Sequence, residues 1–456
     1  MNLSSSLFDW KIYQHIYAPA EMKQVFGEEG AIKSWINVER AISRNQGAIG
    51  IIPEAAAHAI DSTLVADIVD MDKFQKDVQI VGRPIVGLVR QLTDAVGEPH
   101  NVWVHYGVST YDIMDSGTAC QIKDGIAIIH RQLVGLREIW ENLAEVHKMT
   151  IMIARTNGQH AQPTTFGARV ANWLEEFVRH HKRVLSSGQE AASVQLGSVT
   201  GSLASVHPKG LELRDGVATE LGLQAGLANW HNARDAIAAC VLDLGLVCAS
   251  LARIARDISS LSSTDIGETR ESGQSGRGRS SAMPHKQNPR ASEFAEGVAR
   301  LGRQRAMGIT EIMAQEHERS GGGYTAEWML VPDVFLLTSA ALQWQIDLFN
   351  RLEIDKQRMA ENIQATRGMA LSENLTLFLA HRMKKMEARK RVDLACERVR
   401  QSSKTMAEVL KSDPEFSDLF SEQELEDLLD PSKYIGAAPE IVERTVSHSR
   451  AYRPAI

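Results

Sequence analysis

Apolar residues at Ile237, Val241, Leu244, Val247, Leu251, Ile254, Ile258 and Leu261 recur every three or four positions, with no proline to interrupt them. That period is helical, and it predicts a helix over about 235–261, roughly 40 Å long at 1.5 Å per residue. The remaining faces carry Ala238, Ala239, Cys240, Cys248 and Ala249, so several sides are expected to be buried. Stretches of the same kind lie at about 114–150, 164–190, 289–315 and 331–352. Five long helices in the middle of the chain predict a bundle. Small residues on several faces predict packing against more helices than one subunit supplies, hence an oligomer. The first hundred residues read as shorter helices, broken at Pro19, Pro53, Pro84 and Pro99. Beyond about 355 the pattern is short and highly charged. The run KKMEARKR at 384–391 reads as a solvated helix face, because acidic residues follow closely. The expectation is an all-α chain in three parts: an N-terminal helical domain (1–108), a central long-helix bundle (109–355) and a C-terminal helical domain (356–456).

Composition narrows the function classes. At 456 residues and a net charge of −7, the chain lacks the basic balance that a general nucleic-acid binder needs. Cys120, Cys240, Cys248 and Cys396 are far apart and form no CxxC pair, which predicts buried thiols in a reducing compartment. The start, MNLSSSLFDWKIYQ, has no basic region followed by an apolar core, so no signal peptide is expected and the reading is cytoplasmic. The most apolar run, 236–252, contains Asp243 and leads into Arg253, Arg256 and Asp257; it reads as a buried helix, not a membrane span.

Chemistry concentrates in four segments. Residues 280–289 read SSAMPHKQNP and follow a run of small residues, SGQSGRGR. Two hydroxyls, a lysine and an amide on a flexible segment suit a lid that carries a nucleophile or base together with an anion clamp. A serine works as a base where cations and backbone N–H groups stabilise its alkoxide, and Lys286, Asn288, Arg277 and Arg279 are the candidates. Residues 105–112 read HYGVSTYD, where Ser109, Thr110 or Asp112 either caps the helix starting near Ile113 or binds a carboxylate at its N-terminus. Residues 155–165 read RTNGQHAQPTT, a row of hydrogen-bonding side chains ahead of a long helix that reads as a loop needing partners. Residues 315–323 read QEHERSGGG; the HExxH zinc pattern is absent, and no metal is expected. No Walker lysine motif and no strand-borne GxGxxG occur, so no nucleotide cofactor is expected either.

Together these segments resemble the fumarase/aspartase superfamily. RSSAMPHKQNP is similar to its GSSxMPxKxNP loop, and HYGVSTYD and RTNGQHAQPTTFG match two further blocks in order. The resemblance covers nearly the whole chain from Met22. It implies a homotetramer with a twenty-helix core, active sites shared between subunits, and a small di- or tricarboxylate substrate. It implies that Ser280 is the base that takes the proton α to a carboxylate, giving an aci-carboxylate. Lys286 and Asn288 would clamp that carboxylate, Ser109 and Thr110 would bind another, and Asn157, Gln159, Ser281 and Arg319 would complete the substrate site.

The departures are informative. Many lyases of this superfamily carry histidine after RT in the second block; here it is Asn157, which shuttles no proton at neutral pH, and His160 becomes the general-acid candidate. Glu293 keeps the place of the partner to that missing histidine, and Arg279 replaces a glycine. Trp328 stands where adenylosuccinate lyases place a phosphate-binding arginine, whereas the Trp230–His231 and Arg234–Asp235 pairs look more like 3-carboxy-cis,cis-muconate cycloisomerases. Asn157, Gln287 and Glu293 depart from the cycloisomerase pattern as well, which keeps an epimerase of an N-substituted aspartate such as iminodisuccinate open. The expectation is a cofactor-independent isomerase, with a C–N lyase of the adenylosuccinate type as the second reading.

Overall fold

The computed structural model describes residues 5–272, 276 and 278–455. It divides into two compact units, each discontinuous in sequence. The first comprises Met1–Leu133, His180–Ala252 and Phe294–Gln343; the second comprises Val134–Arg179, Arg253–Glu293 and Trp344–Ile456. The five expected long helices are present: α1 (Thr110–Val146), α2 (Phe166–Ala191), α3 (Asp235–Leu261), α4 (Arg290–Met307) and α5 (Gly322–Arg351). α1 is shifted four residues toward the N-terminus of the expected stretch, and two other ends differ more. α4 stops at Met307, where Gly308 begins a tighter 3-10 stretch, Gly308–Met313. α5 starts well before 331 because Pro332 sits inside the helix; its ring breaks the apolar period without ending the backbone turn. α3 and α5 are long and apolar enough to cross a membrane, but most of each is buried within protein.

In the first unit the core draws Ile32, Ile36, Ala41 and Ile42 from the helix Glu28–Ala48, and Ile85, Leu88 and Leu92 from the helix Pro84–Val96. The three-and-four spacing puts each set on one helix face, and each fully buried Leu or Ile contributes about 1.5–3 kcal/mol. Small residues let α3 and α4 approach. A Cβ on Gly302 would meet Cys248 Sγ at 2.7 Å, and one on Gly245 would meet Ala306 Cβ at 2.6 Å. Part of the small-residue pattern is therefore used inside the unit, not at an oligomer interface.

In the second unit Trp140 is fully buried and meets Phe177 and Phe349 edge-on at 4.9 and 5.4 Å. A separate cluster packs Leu375, Val392, Val399, Leu410 and Phe416. The charged run 384–391 lies on the exposed face of the helix Lys385–Gln401, where Arg391 pairs with Glu387 at 3.0 Å and Arg389 with Asp393 at 2.9 Å. Cys240, Cys248 and Cys396 are buried and Cys120 is half-buried; burial pushes the Cys240 and Cys248 thiols up to about 12.

The strands are few and short. β1 (Ile151–Thr156) pairs antiparallel with β2 (Gln159–Thr165), and β3 (Thr269–Glu271) pairs antiparallel with β4 (Leu352–Ile354). Both ladders lie in the second unit; β2 carries Gln159 and His160, and the segment bearing Ser280 follows β3 in the chain.

Candidate active site

The segment at 155–165 is a hairpin, which corrects its reading as a loop. Thr156 faces Gln159 across the ladder, leaving Asn157 and Gly158 as the turn. Both have positive φ, 53° and 76°. A two-residue turn of this kind matches the twist of the flanking strands, and Asn-Gly tolerates it best. Asn157 therefore has a backbone reason to stand where the resemblance expects histidine. Asn157, Gln159 and His160 are exposed near the hairpin tip. Arg155 is a structural anchor: its guanidinium makes a two-pronged contact with the fully buried Glu268 at 2.9 and 2.7 Å, and Asn362 donates to the same carboxylate at 2.7 Å. Burial, then the Arg155 charge, hold the His160 imidazole below its ordinary range, against the pull of Glu268. His160 is thus neutral near pH 7, in the form that accepts a proton.

The loop at 278–289 folds back on itself. Arg279 and Gln287 form an antiparallel bridge, and the Ser280 N–H donates to the Lys286 carbonyl at 3.2 Å. This register sets Ser280 across from Lys286, six residues on. The Ser280 Oγ accepts from the N–H groups of Met283 at 3.0 Å and Ala282 at 3.3 Å. Two backbone donors on one hydroxyl oxygen favour the charged form of that oxygen over the neutral one. Lys286 is exposed and has no ion-pair partner among the described residues. Asn288 is partly committed to the stem: its backbone N–H and its side-chain amide both donate to the Gly278 carbonyl, at 2.8 and 3.0 Å. Ser281 is exposed, and Arg277 lies outside the described residues. The far end is fixed by Glu271, whose carboxylate accepts from the N–H groups of Ala291 and Ser292, both at 2.9 Å, in the first turn of α4. Glu293 pairs with Arg290 at 2.5 Å in place of a histidine.

Gly278 is the hinge of this stem. Its φ is +79°, and a Cβ there would lie 2.4 Å from the Asn288 carbonyl oxygen. Gly278→Ala is expected to open the stem and lower turnover by about 10²-fold, the usual cost of misplacing a reacting group by an ångström. Circular dichroism should stay unchanged, because Gly278, Arg279, Ser280, Lys286, Gln287 and Asn288 of the stem are none of them buried. Wild-type turnover in this variant would show that the stem does not position Ser280.

In the first unit the block at 105–112 resolves into separate roles. α1 begins at Thr110, with Ser109 before it. Asp112, fully buried, accepts from the N–H groups of Ser109 (2.8 Å), Gly197 (2.9 Å) and Ser198 (3.0 Å), so it ties the helix start to the 197–198 turn. The Ser109 Oγ accepts from Arg319 at 3.4 Å, and Arg319 also lies 4.3 Å over the Tyr111 ring. The Thr110 hydroxyl has no partner among the described residues. Of the sequence-predicted residues, the structure brings Ser109, Thr110 and Arg319 together in the first unit, and Ser280 and Lys286 together in the second.

Beneath this group lies an ion cluster for which the Trp230–Arg234 segment was the sequence signal. Arg234 donates to Asp115 through two nitrogens, both at 3.1 Å, and to Glu327 at 2.9 Å, between the rings of Trp230 and Tyr324 at 4.6 and 4.8 Å. Burial pushes the Asp115 and Glu327 carboxyls up, and the adjoining Arg234 charge pulls both back. The Tyr324 hydroxyl donates to the His231 carbonyl at 2.6 Å.

A bundle of long helices bearing these blocks in this order has the fumarase/aspartase fold. A family model described as Lyase matches residues 16–302, and one described as Adenylosuccinate lyase C-terminus matches residues 368–445. The chain is 33% identical over 449 residues to 3-carboxy-cis,cis-muconate cycloisomerase of Pseudomonas aeruginosa, covering 97% of this chain and 98% of that one. It is 32% identical over 457 residues to nitrosuccinate lyase of Streptomyces davaonensis, covering 97% and 95%. The solved 3-carboxy-cis,cis-muconate lactonizing enzyme from Pseudomonas putida superposes with a TM-score of 0.91 at 30% identity, covering 96% and 99%. The chain belongs to this lyase family and is an enzyme of the fumarase/aspartase superfamily.

Proposed function

We propose that the protein is a cofactor-independent isomerase of di- or tricarboxylates, working by removal of a proton α to a carboxylate. The observation that carries this reading is the Ser280 hydroxyl, seated on the Ala282 and Met283 N–H groups with Lys286 across the ladder. As an alkoxide, Ser280 takes the α-proton; its O–H bond forms as the C–H bond breaks, and the electron pair moves into the carboxylate. Lys286 holds the aci-carboxylate that results, an interaction that strengthens as the charge grows. Asn288 contributes the amide hydrogen that its stem contact leaves unused. In the first unit, Ser109, Thr110 and Arg319 bind a further carboxylate. Asn157, Gln159 and Ser281 line the substrate. His160 accepts a proton more readily than it gives one at neutral pH, which suits a reaction with no poor leaving group to protonate.

Two outcomes share the aci-carboxylate. Lactonisation of a carboxymuconate forms it as a carboxylate oxygen adds to the alkene, and the Ser280 O–H then delivers its proton to the α-carbon, the reverse of the removal; epimerisation of an N-substituted aspartate such as iminodisuccinate removes the α-proton and returns one to the opposite face. The relatives named for muconate chemistry favour the first. The second reading, a C–N lyase releasing fumarate, draws on the C-terminal match. We propose a homotetramer with shared active sites; exposed Leu246, Met307 and Met329 on helices of the first unit offer apolar surface for it.

A panel of 3-carboxymuconate, iminodisuccinate, adenylosuccinate and argininosuccinate separates the readings. Conversion of one of the first two without growth of fumarate absorbance is expected. Stoichiometric fumarate release from any of the four would replace the isomerase reading by the lyase one.

A further inference from the structure

Among the arginines of the first unit that have no carboxylate partner among the described residues, Arg83 and Arg319 meet at Tyr111. Arg83 Nε donates to the Tyr111 hydroxyl at 3.1 Å, one of its terminal nitrogens donates to the Gly82 carbonyl at 2.9 Å, and its guanidinium lies 5.4 Å over the Trp328 ring. Arg319 covers the face of the same tyrosine and reaches Ser109. Both are half-buried. Tyr111 is itself buried and packs on Tyr324 at 4.5 Å, so neither contact is with a loose ring.

The contrast with other arginines in this unit is informative. Arg234 has Asp115 and Glu327, Arg40 and Arg44 share Asp61, and Arg90 has Asp77. Two like charges on one tyrosine repel unless anions lie beside them. With Nε given to Tyr111 and one terminal N–H to Gly82, Arg83 keeps the other hydrogen of that nitrogen and both hydrogens of the second terminal nitrogen for a carboxylate.

We infer that Arg83 binds a substrate carboxylate different from the one that Arg319 and Ser109 hold. This inference rests on the polycarboxylate reading above and extends it. The first unit engages two carboxylates, so the substrate carries at least two.

Calorimetric titration of the full-length protein with tricarballylate, succinate and propionate tests this. Arg83→Gln is expected to weaken tricarballylate binding at least about tenfold and to change propionate binding less than about twofold. An unchanged affinity for tricarballylate, or equal losses for both acids, would overturn the inference, as would a wild-type protein that binds none of the three. If Arg83→Gln does not fold, Arg83→Lys carries the test: a selective loss for tricarballylate is expected, and its absence overturns the inference. Binding is read without turnover. Failure of the isomerase reading would therefore appear separately, as fumarate release or absent proton exchange with the binding pattern intact.

Discussion

Ser280→Ala is expected to lower kcat by about 10²- to 10⁴-fold, the range that a positioned base contributes, while KM changes little. The loop should survive the change. Its stem is held by the Ser280 N–H to Lys286 carbonyl bond, the Arg279–Gln287 bridge and the double contact of Asn288 with Gly278, none of which uses the serine hydroxyl. The N–H groups of Ala282 and Met283 lose their acceptor, but both lie on an exposed segment where water replaces it. Circular dichroism and the oligomeric state should match the wild type. Ser281→Ala is the comparison: that side chain is exposed and has no hydrogen bond among the described residues, and as a group lining the substrate its loss should raise KM while kcat changes less than about tenfold. A drop confined to Ser281→Ala would move the base by one residue, and a drop in neither would remove the serine mechanism.

The largest loss of stability is expected from Arg234→Met, about 3–5 kcal/mol. The Arg234 side chain is fully buried and serves two carboxylates at once, while Trp230 and Tyr324 close its faces. Removing it leaves Asp115 and Glu327 buried without a counter-charge. Their carboxyls are already pushed up by burial, and without Arg234 they rise further. A carboxyl whose folded pKa exceeds its unfolded value contributes stability below the unfolded value and loses it as pH rises through the folded one. The deficit of Arg234→Met relative to wild type should therefore shrink as pH falls from 8 toward 5. Urea midpoints across that range measure it. Adding Asp115→Asn and Glu327→Gln to the variant should restore part of the loss, because the buried charges go with their partner. A uniform deficit at every pH would assign the effect to lost packing.

The long helices were legible because their apolar period runs unbroken, as from Ile237 to Leu261, and α3 occupies the predicted span. Where the local chemistry was irregular, legibility failed. Pro332 hid the first turns of α5, since a proline in a helix mimics a helix start. The 155–165 hairpin carries few β-branched residues, and its Asn157–Gly158 turn, a strong hairpin signal, was read for chemistry instead. The loop at 280–289 was legible as a unit of function, but its register was not. That Ser280 faces Lys286 follows from a positive φ at Gly278 and a bridge between Arg279 and Gln287, which side-chain types alone do not encode. Asp112 shows a different limit. As a residue near a helix start it read as a cap or a ligand, and its bonds to Gly197 and Ser198 join segments far apart in sequence. Arg83 carried no signal: a lone arginine before a proline is ordinary, and what sets it apart is that no described neighbour supplies it with a carboxylate.

The claim that most needs testing is proton removal from carbon by Ser280. Incubating the wild-type protein with the turned-over acid in deuterated water and following the α-carbon by NMR reads proton transfer at that carbon: an N-substituted aspartate exchanges its α-proton for deuterium, and a muconate yields a lactone deuterated at its new α-carbon. Deuteration of the α-carbon in the wild type, at a rate at least matching turnover and absent in Ser280→Ala, is the predicted result. Turnover that leaves the α-carbon wholly protonated, or deuteration that persists in Ser280→Ala, would contradict it.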